Sequence, residues 1–290
     1  MVELGGRRVG ILAVLMVGTA LAGCNTVGGG ASRNPQVAVV EEDKAGTASV
    51  NIESLSDVVQ RNPQDASAYN TRGAAYARVG RYGDAVADFN KALQIDPANA
   101  PAYTNRALAN RQTGRNDQAM ADFSKAIAAD ANYGPAYIGR ANLERVQGQY
   151  EPALADLTQA IRLTPESAEA LHARGLVYQR MSRHREAIID FDAAIDRNAY
   201  VAAPYSARGQ SLIATNQFDK AAEDFNAALN INNKDADSWA NRGLALEKSG
   251  KRQEAVESYT RATSIEKDNA VARGGLGRLQ GGIASLNPFR

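Results

Sequence analysis

The feature that most constrains this 290-residue chain is a pattern that returns every 34 residues in six copies. Bulky side chains stand at Tyr69, Tyr103, Tyr137, Leu171, Tyr205 and Trp239, each 34 residues from the last. Small ones keep the same interval at Ala85, Ala119, Ala153, Ala187, Ala221 and Ala255. Four residues further on come Phe89, Phe123, Leu157, Phe191, Phe225 and Tyr259, and then Ala92, Ala126, Ala160, Ala194, Ala228 and Ala262. A fixed period of this length marks stacked copies of one supersecondary unit rather than a globule. Such a unit cannot bury its apolar stripe alone, so its stability comes from its neighbours.

Punctuation inside the period divides each unit into two helices. Gly80, Gly114, Gly148 and Gly250 stand where a first helix ends and a left-handed residue is needed. Asn216 suits that conformation too, and Ser182 does so less well. Pro97 and Pro165 mark the ends of second helices. With Ala66 as position 1, the pattern is an early aromatic, small residues near 8 and 20, an aromatic at 24 and alanine at 27. It resembles the tetratricopeptide repeat (TPR). The resemblance covers residues 66–269 in six units, 66–99, 100–133, 134–167, 168–201, 202–235 and 236–269. It implies an all-α solenoid of helix-turn-helix repeats wound as a right-handed superhelix and closed by half-repeat caps. Residues 51–65 carry Leu55, Val58 and Pro63 at the places of positions 24, 27 and 32, and read as a lone second helix at the front. Residues 270–290 read as a lone first helix, weakened by Gly274, Gly275 and Gly277, followed by a tail.

The N-terminus reads as an address. Arg7 and Arg8 precede an apolar stretch from Val9 to Leu21. That stretch spans roughly 20 Å as a helix, short of a ~30 Å bilayer core, so it is a signal-peptide core and not a membrane span. Leu21-Ala22-Gly23-Cys24 resembles the lipobox of bacterial lipoproteins. The resemblance implies that residues 1–23 are cleaved and that Cys24 carries a diacylglyceryl thioether and an acylated amine. Each buried CH₂ contributes about 0.8 kcal/mol, so three acyl chains hold where one is marginal. Asn25, rather than aspartate, follows the cysteine, which by resemblance favours the periplasmic face of the outer membrane. Residues 24–50, rich in Gly, Ser, Thr and Ala, read as a flexible tether with a reach of about 30 Å.

Composition removes several function classes. Lys+Arg is 33 and Asp+Glu is 32, and Arg7, Arg8 and Glu3 fall before Cys24, so the rest of the chain is neutral. Nucleic-acid binding needs clustered cation excess and is not expected. Cys24 is the only cysteine, which excludes an internal disulfide, and two histidines leave little for a metal. His172 and His184 lie in different slots of one repeat, at positions 5 and 17. Position 17 also holds Tyr82, Tyr150 and Phe218, so His184 reads as packing. No nucleophile, base and acid converge, so neither an enzyme nor a cofactor is expected.

Three sets of variable positions carry the functional reading. Position 7, often leucine in the family, is Arg72, Arg106, Arg140, Arg174, Arg208 and Arg242. Position 23 is Asp88, Asp122, Asp156, Asp190 and Asp224, then Ser258. Either these form an intra-unit Arg–Asp ladder, because the guanidinium fork matches a carboxylate, or both are solvated faces. Position 11, elsewhere Tyr or Leu, is Asn110 and Glu144 in units two and three. A polar residue facing an apolar seam is either paired with a nearby arginine or marks a notch where a ligand enters. In the family, positions 2, 5, 9, 12 and 13 of the first helices line a groove that takes peptides. Here that lining includes Asn70, Arg78, Arg111, Gln112, Asn142, Arg145, His172, Gln179, Arg180 and Gln210. Arginines gather in the first four units, which suggests an acidic segment or C-terminal carboxylate as partner, unless the face is merely solvated. The Lys–Asn clamp for chaperone tails is not reproduced, since unit one has Asn70 and Ala74 at its places. Lipoproteins of this kind resemble periplasmic scaffolds of the new-lipoprotein-I type, which gather peptidoglycan hydrolases and a protease. Alternatives are the pilotins of type IV or Tad pili, assembly lipoproteins, and a purely structural envelope lipoprotein.

Overall fold

The computed structural model describes residues 45–284. Cys24, the signal segment and most of the expected tether lie outside the described residues. The chain begins with α1 (Ala45–Arg61), then α2 (Ala66–Arg78) and α3 (Tyr82–Ile95). It continues through α4 (Ala100–Gln112), α5 (Asn116–Ala129), α6 (Gly134–Val146) and α7 (Tyr150–Leu163). Then come α8 (Ala168–Arg180), α9 (His184–Arg197), α10 (Ala202–Ala214) and α11 (Phe218–Ile231). The last are α12 (Ala236–Lys248), α13 (Arg252–Ile265) and α14 (Ala270–Ala284), and no strand occurs among the described residues. The tether was expected to reach residue 50, but α1 begins at Ala45.

Local chemistry places the ends. Asp65, Asn99, Ser167, Asp235 and Asn269 accept a backbone N–H in the first turn of the following helix. Tyr133 and Val201 open α6 and α10 with no side-chain cap. The inter-helix turns pass through positive φ at Gly80, Gly114, Gly148 and Gly250, and also at Ser182 (58°) and Asn216 (59°). Pro97 and Pro165 follow the ends of α3 and α7 by two residues.

Packing is sequential. Each first helix packs on its own second helix, and each second helix on the next first helix. First helices also touch the first helices of adjacent units, whereas no two second helices meet among the described residues. The first helices therefore form the closely spaced layer. At the centre of each unit sits the position-24 side chain: Phe89, Phe123, Leu157, Phe191, Phe225 and Tyr259 are all 0% exposed. Burying each stabilises by about 1.5–3 kcal/mol.

Every aromatic in this set rests on a glycine. A Cβ added to Gly73 would fall 2.7 Å from Phe89, one on Gly175 2.5 Å from Phe191, and one on Gly209 2.8 Å from Phe225. Phe123 rests instead on Gly139 of the next unit, at 2.3 Å. Tyr259 has Gly243 on one side and Gly275 of α14 on the other. The one leucine, Leu157, packs with Ala141 and Ala173, where no glycine is needed. The Tyr259 hydroxyl donates to Glu247 on α12, whose carboxylate also accepts two bonds from Arg278 of α14.

The arginines of position 7 clamp the units. Arg72 donates through Nε and Nη2 to Asp88, and Arg106, Arg140, Arg174 and Arg208 do the same to Asp122, Asp156, Asp190 and Asp224. Distances run from 2.6 Å for Arg140 to Asp156 up to 2.9 Å for its second bond. The fork does more than the intra-unit ladder of the sequence reading. Its third nitrogen, Nη1, reaches back to position 25 of the preceding second helix, at Ser56, Asn90, Ser124 and Asp192. Arg242, with Ser258 in place of aspartate, bonds Ser258 and Asn226. One guanidinium thus joins three helices across a unit boundary.

Two measurements test this packing. Gly175→Ala should lower the urea midpoint by the equivalent of about 1–3 kcal/mol, because the ring of Phe191 must move. Gly83→Ala, with nothing within 4 Å of the new methyl, should leave stability unchanged or raise it by up to about 1 kcal/mol. Arg140→Met should cost about 2–4 kcal/mol in thermal or chemical melts, since it strands the buried Asp156. Unchanged stability would mean that the fork is ornamental.

Candidate functional site

The first-helix face carries a cleft of about 580 Å³ where α4, α6 and α8 run side by side. Arg111 and Arg145 occupy the same position of successive units, so stacking sets them next to each other along the face. Glu169 and His172 approach from α8, Asn116 opens α5 at one edge, and Asn142 stands on α6. Leu143, Val146, Ala173 and Leu176 supply apolar surface.

Of the ten groove residues expected from the sequence, Arg111, Asn142, Arg145 and His172 meet in this cleft. Arg180 is close enough to Arg145 to repel its charge. The others do not converge there. Gln179 spends its amide on Ala207 O at 2.9 Å and Ser211 Oγ at 3.0 Å. Asn70 accepts from Asn105 of the next unit at 3.0 Å. Arg78, Gln112 and Gln210 are exposed on other parts of the face. The ten Arg and Asp side chains of position 7 and position 23 are taken up in their own forks.

Sequence reasoning missed Glu169, Val146 and Leu176. All three stand at groove positions (2, 13 and 9), so the signal was present. Val146 and Leu176 are apolar and Glu169 is acidic, so none shares the basic or amide character of the lining expected from the sequence.

Burial and like charge govern the electrostatics. Desolvation pulls Arg111 below the ordinary arginine range, partly opposed by the carboxylate of Glu169. Arg145 is lowered by burial and then by the neighbouring charges of Arg180 and Arg111. Glu169 keeps much of its surface open to solvent, yet the flanking helices strip enough hydration to push its carboxyl up, with Arg111 pulling it back. Burial, aided by Arg145, pushes His172 down to about 4, so its imidazole is neutral at pH 7. Its ring leans on Phe191, centroids 5.7 Å apart. His184 stands at the start of α9 with a buried Nδ1 that has no partner.

The two polar residues at position 11 have different fates. Asn110 accepts from Arg115 at 2.9 Å and donates to Asp122 at 3.3 Å, so it is paired. Glu144 is 7% exposed, and its Oε2 has no partner. In unit two Arg115 serves this position, whereas Gln149 stands in its place in unit three. Burial and the charge of Asp156 raise the Glu144 pKa, against the opposing pull of Arg140. A raised folded-state pKa adds stability at low pH that is lost as pH rises through it. Glu144→Gln should therefore stabilise the protein by about 1 kcal/mol at pH 7. That advantage should vanish in melts below about pH 4.5, where the wild-type carboxyl is protonated in both states.

Family profiles described as tetratricopeptide repeat match residues 66–99, 89–121, 168–200 and 236–269, and one described as TPR repeat matches 141–182 and 209–250. Together they cover more than half of the chain. Among curated proteins none matches. Solved structures share the architecture. A chain of the APC/C hetero-tetramer Cut9–Hcn1 superposes with a TM-score of 0.72 at 21% identity over 81% of this chain, which spans 46% of that chain's length. PilW, described as a widely conserved type IV pilus biogenesis factor, gives 0.66 at 16% identity, covering 73% of this chain and 98% of PilW. YrrB, described as a TPR protein with an unusual peptide-binding site, gives 0.53 at 24% identity, covering 64% and 96%. At these identities the likeness is one of fold.

Proposed function

The chain belongs to the tetratricopeptide-repeat family, and from that premise we propose that it is a lipid-anchored adaptor of the bacterial envelope, holding protein partners on its first-helix face. The TPR architecture is a protein-interaction scaffold. The observation that carries the reading here is the cleft of α4, α6 and α8, where half-buried arginines and open apolar side chains share one surface. A convergent set of this kind suits an extended segment of another protein.

The order of Arg7 and Arg8, the short apolar stretch and Leu21-Ala22-Gly23-Cys24 supports attachment through acylated Cys24, at the periplasmic face of the outer membrane. Anchoring and binding reinforce each other. A tether confines the scaffold to a thin layer near the membrane, which raises its effective concentration toward clients in the same layer. The clients on this reading are envelope enzymes, peptidoglycan hydrolases or proteases, gathered by the scaffold. A second reading, escort of a pilus secretin, is favoured by the fold likeness to PilW.

Crosslinked envelopes provide the test. Cys24→Ala should abolish palmitate labelling and move the protein from the membrane pellet to the soluble fraction. Recovery of hydrolases or proteases on the tagged full chain supports the first reading, and secretin subunits support the second. A bait that returns no protein leaves a structural lipoprotein and overturns the adaptor.

A further inference from the structure

We infer that the two ends of the array bind each other between copies: α14 of one chain receives α1 of a second chain, and the pair completes a repeat unit. The product is a head-to-tail assembly of this protein. The inference concerns the ends alone and is independent of what the first-helix face holds.

α1 is a second helix without its first. Among the described helices it packs on α2 alone, as every second helix packs on the next first helix. In the six complete units the alanines of positions 20 and 27 and the large side chain of position 24 are at most 1% exposed. In α1 those places hold Asn51, Val58 and Leu55; Asn51 and Val58 are exposed and Leu55 is only half-buried. α14 is the converse, a first helix without its second. Units one, four, five and six seat the ring of position 24 on a glycine at position 8, namely Gly73, Gly175, Gly209 and Gly243. Gly277 holds that position in α14. It is exposed, and among the described residues nothing lies within 4 Å of where its Cβ would stand.

The chemistry of the two ends makes the occupant a second copy. Units one to five join arginine at position 7 to aspartate at position 23. α14 has Leu276 at position 7, and α1 has Ser54 at position 23. Joining them buries neither an unpaired guanidinium nor an unpaired carboxylate, whereas a second helix of the ordinary kind would bring its aspartate against Leu276. Leu55 is smaller than the phenylalanine of most units, and Val58 is larger than the alanine of position 27, so the volume lost at one place is regained at the other. The helices also differ in sign. α1 carries Glu53 and Asp57 against Arg61, while α14 carries Arg273 and Arg278, the latter held by Glu247, and no acid. Terminal repeats of a solenoid ordinarily turn a polar face to water, and these two turn Val58 and Leu276. Because the joined surfaces are different, each added copy leaves one end free and the contact propagates.

Sedimentation equilibrium of the full chain in density-matched detergent micelles tests this. The wild-type mass should rise with concentration past that of a dimer. Gly277→Arg sets a charged side chain on the open seat, and Val58→Arg sets one on α1 against the arginines of α14. Each of these proteins alone should stay monomeric. Mixed in equal amounts they should form a dimer and nothing larger, since each keeps the end that the other lacks. Both positions are exposed, so helix content and melting should match the wild type. Ile189→Arg, at an exposed apolar site on α9, should leave the association unchanged. A wild-type monomer at every concentration up to about 100 μM would overturn the assignment, and is the result expected if residues 285–290 of the same chain cover Gly277. So would either single variant that still assembles, or a mixture that stays monomeric.

Discussion

The ring at position 24 cannot be covered by the helix pair that carries it, and the rest of the structure follows from that shortfall. Phe89, Phe123, Phe191, Phe225 and Tyr259 lie between their own first helix and the next one, and each ends fully buried only because the next unit is there. The array must therefore continue until something other than a full unit closes it. α1 supplies the missing second helix at the front, and α14 the missing first helix at the back. Glycine at position 8 or 6 is the matching concession, because the ring needs the volume that a methyl would take. Where that volume is not released, at Leu157, the side chain is smaller.

Polar clamping adds register to this apolar stacking. A half-buried ion pair is a poor source of net stability, since desolvation consumes most of its attraction. A fork that binds an aspartate 16 residues ahead and a short polar side chain 16 residues behind nevertheless tolerates one alignment of three helices. A slip of one residue would leave both carboxylate and guanidinium buried and unpaired. The same chemistry makes the cleft legible. In a molecule whose other half-buried arginines are paired, Arg111 and Arg145 stand on the cleft with no side-chain acceptor among the described residues.

Much of the fold could be read in the residues because a repeat multiplies every local signal six times. Helix pairing, the left-handed turns at Gly80, Gly114, Gly148 and Gly250, and the Arg–Asp spacing were each visible as columns. What escaped was information confined to pairs of columns. In four of the five forks the third donor needed position 25, where Ser56, Asn90, Ser124 and Asp192 look unrelated until read as short polar groups. The cleft needed three neighbouring units to be considered together, and its apolar half at Val146 and Leu176 is invisible to a search for polar lining. The withdrawal of Gln179 into α10 could not be foreseen either, since its partners are a backbone carbonyl and a serine 32 residues away.

The glycines of α14 give the array a weak end. Gly275 is required by Tyr259, but Gly274 and Gly277 meet little or nothing, and each glycine costs the helix about 1 kcal/mol relative to alanine. Among the described helices α14 also has neighbours on one side alone, α12 and α13. Unravelling therefore has a preferred direction, starting from this helix and running back through the units. Its first step lays bare one face of Tyr259 and releases Glu247 from Arg278, leaving that carboxylate, at the same helical position as Arg111 and Arg145, with the Tyr259 hydroxyl as its remaining donor. Loosening this terminus thus adds negative charge to the first-helix face of the last unit.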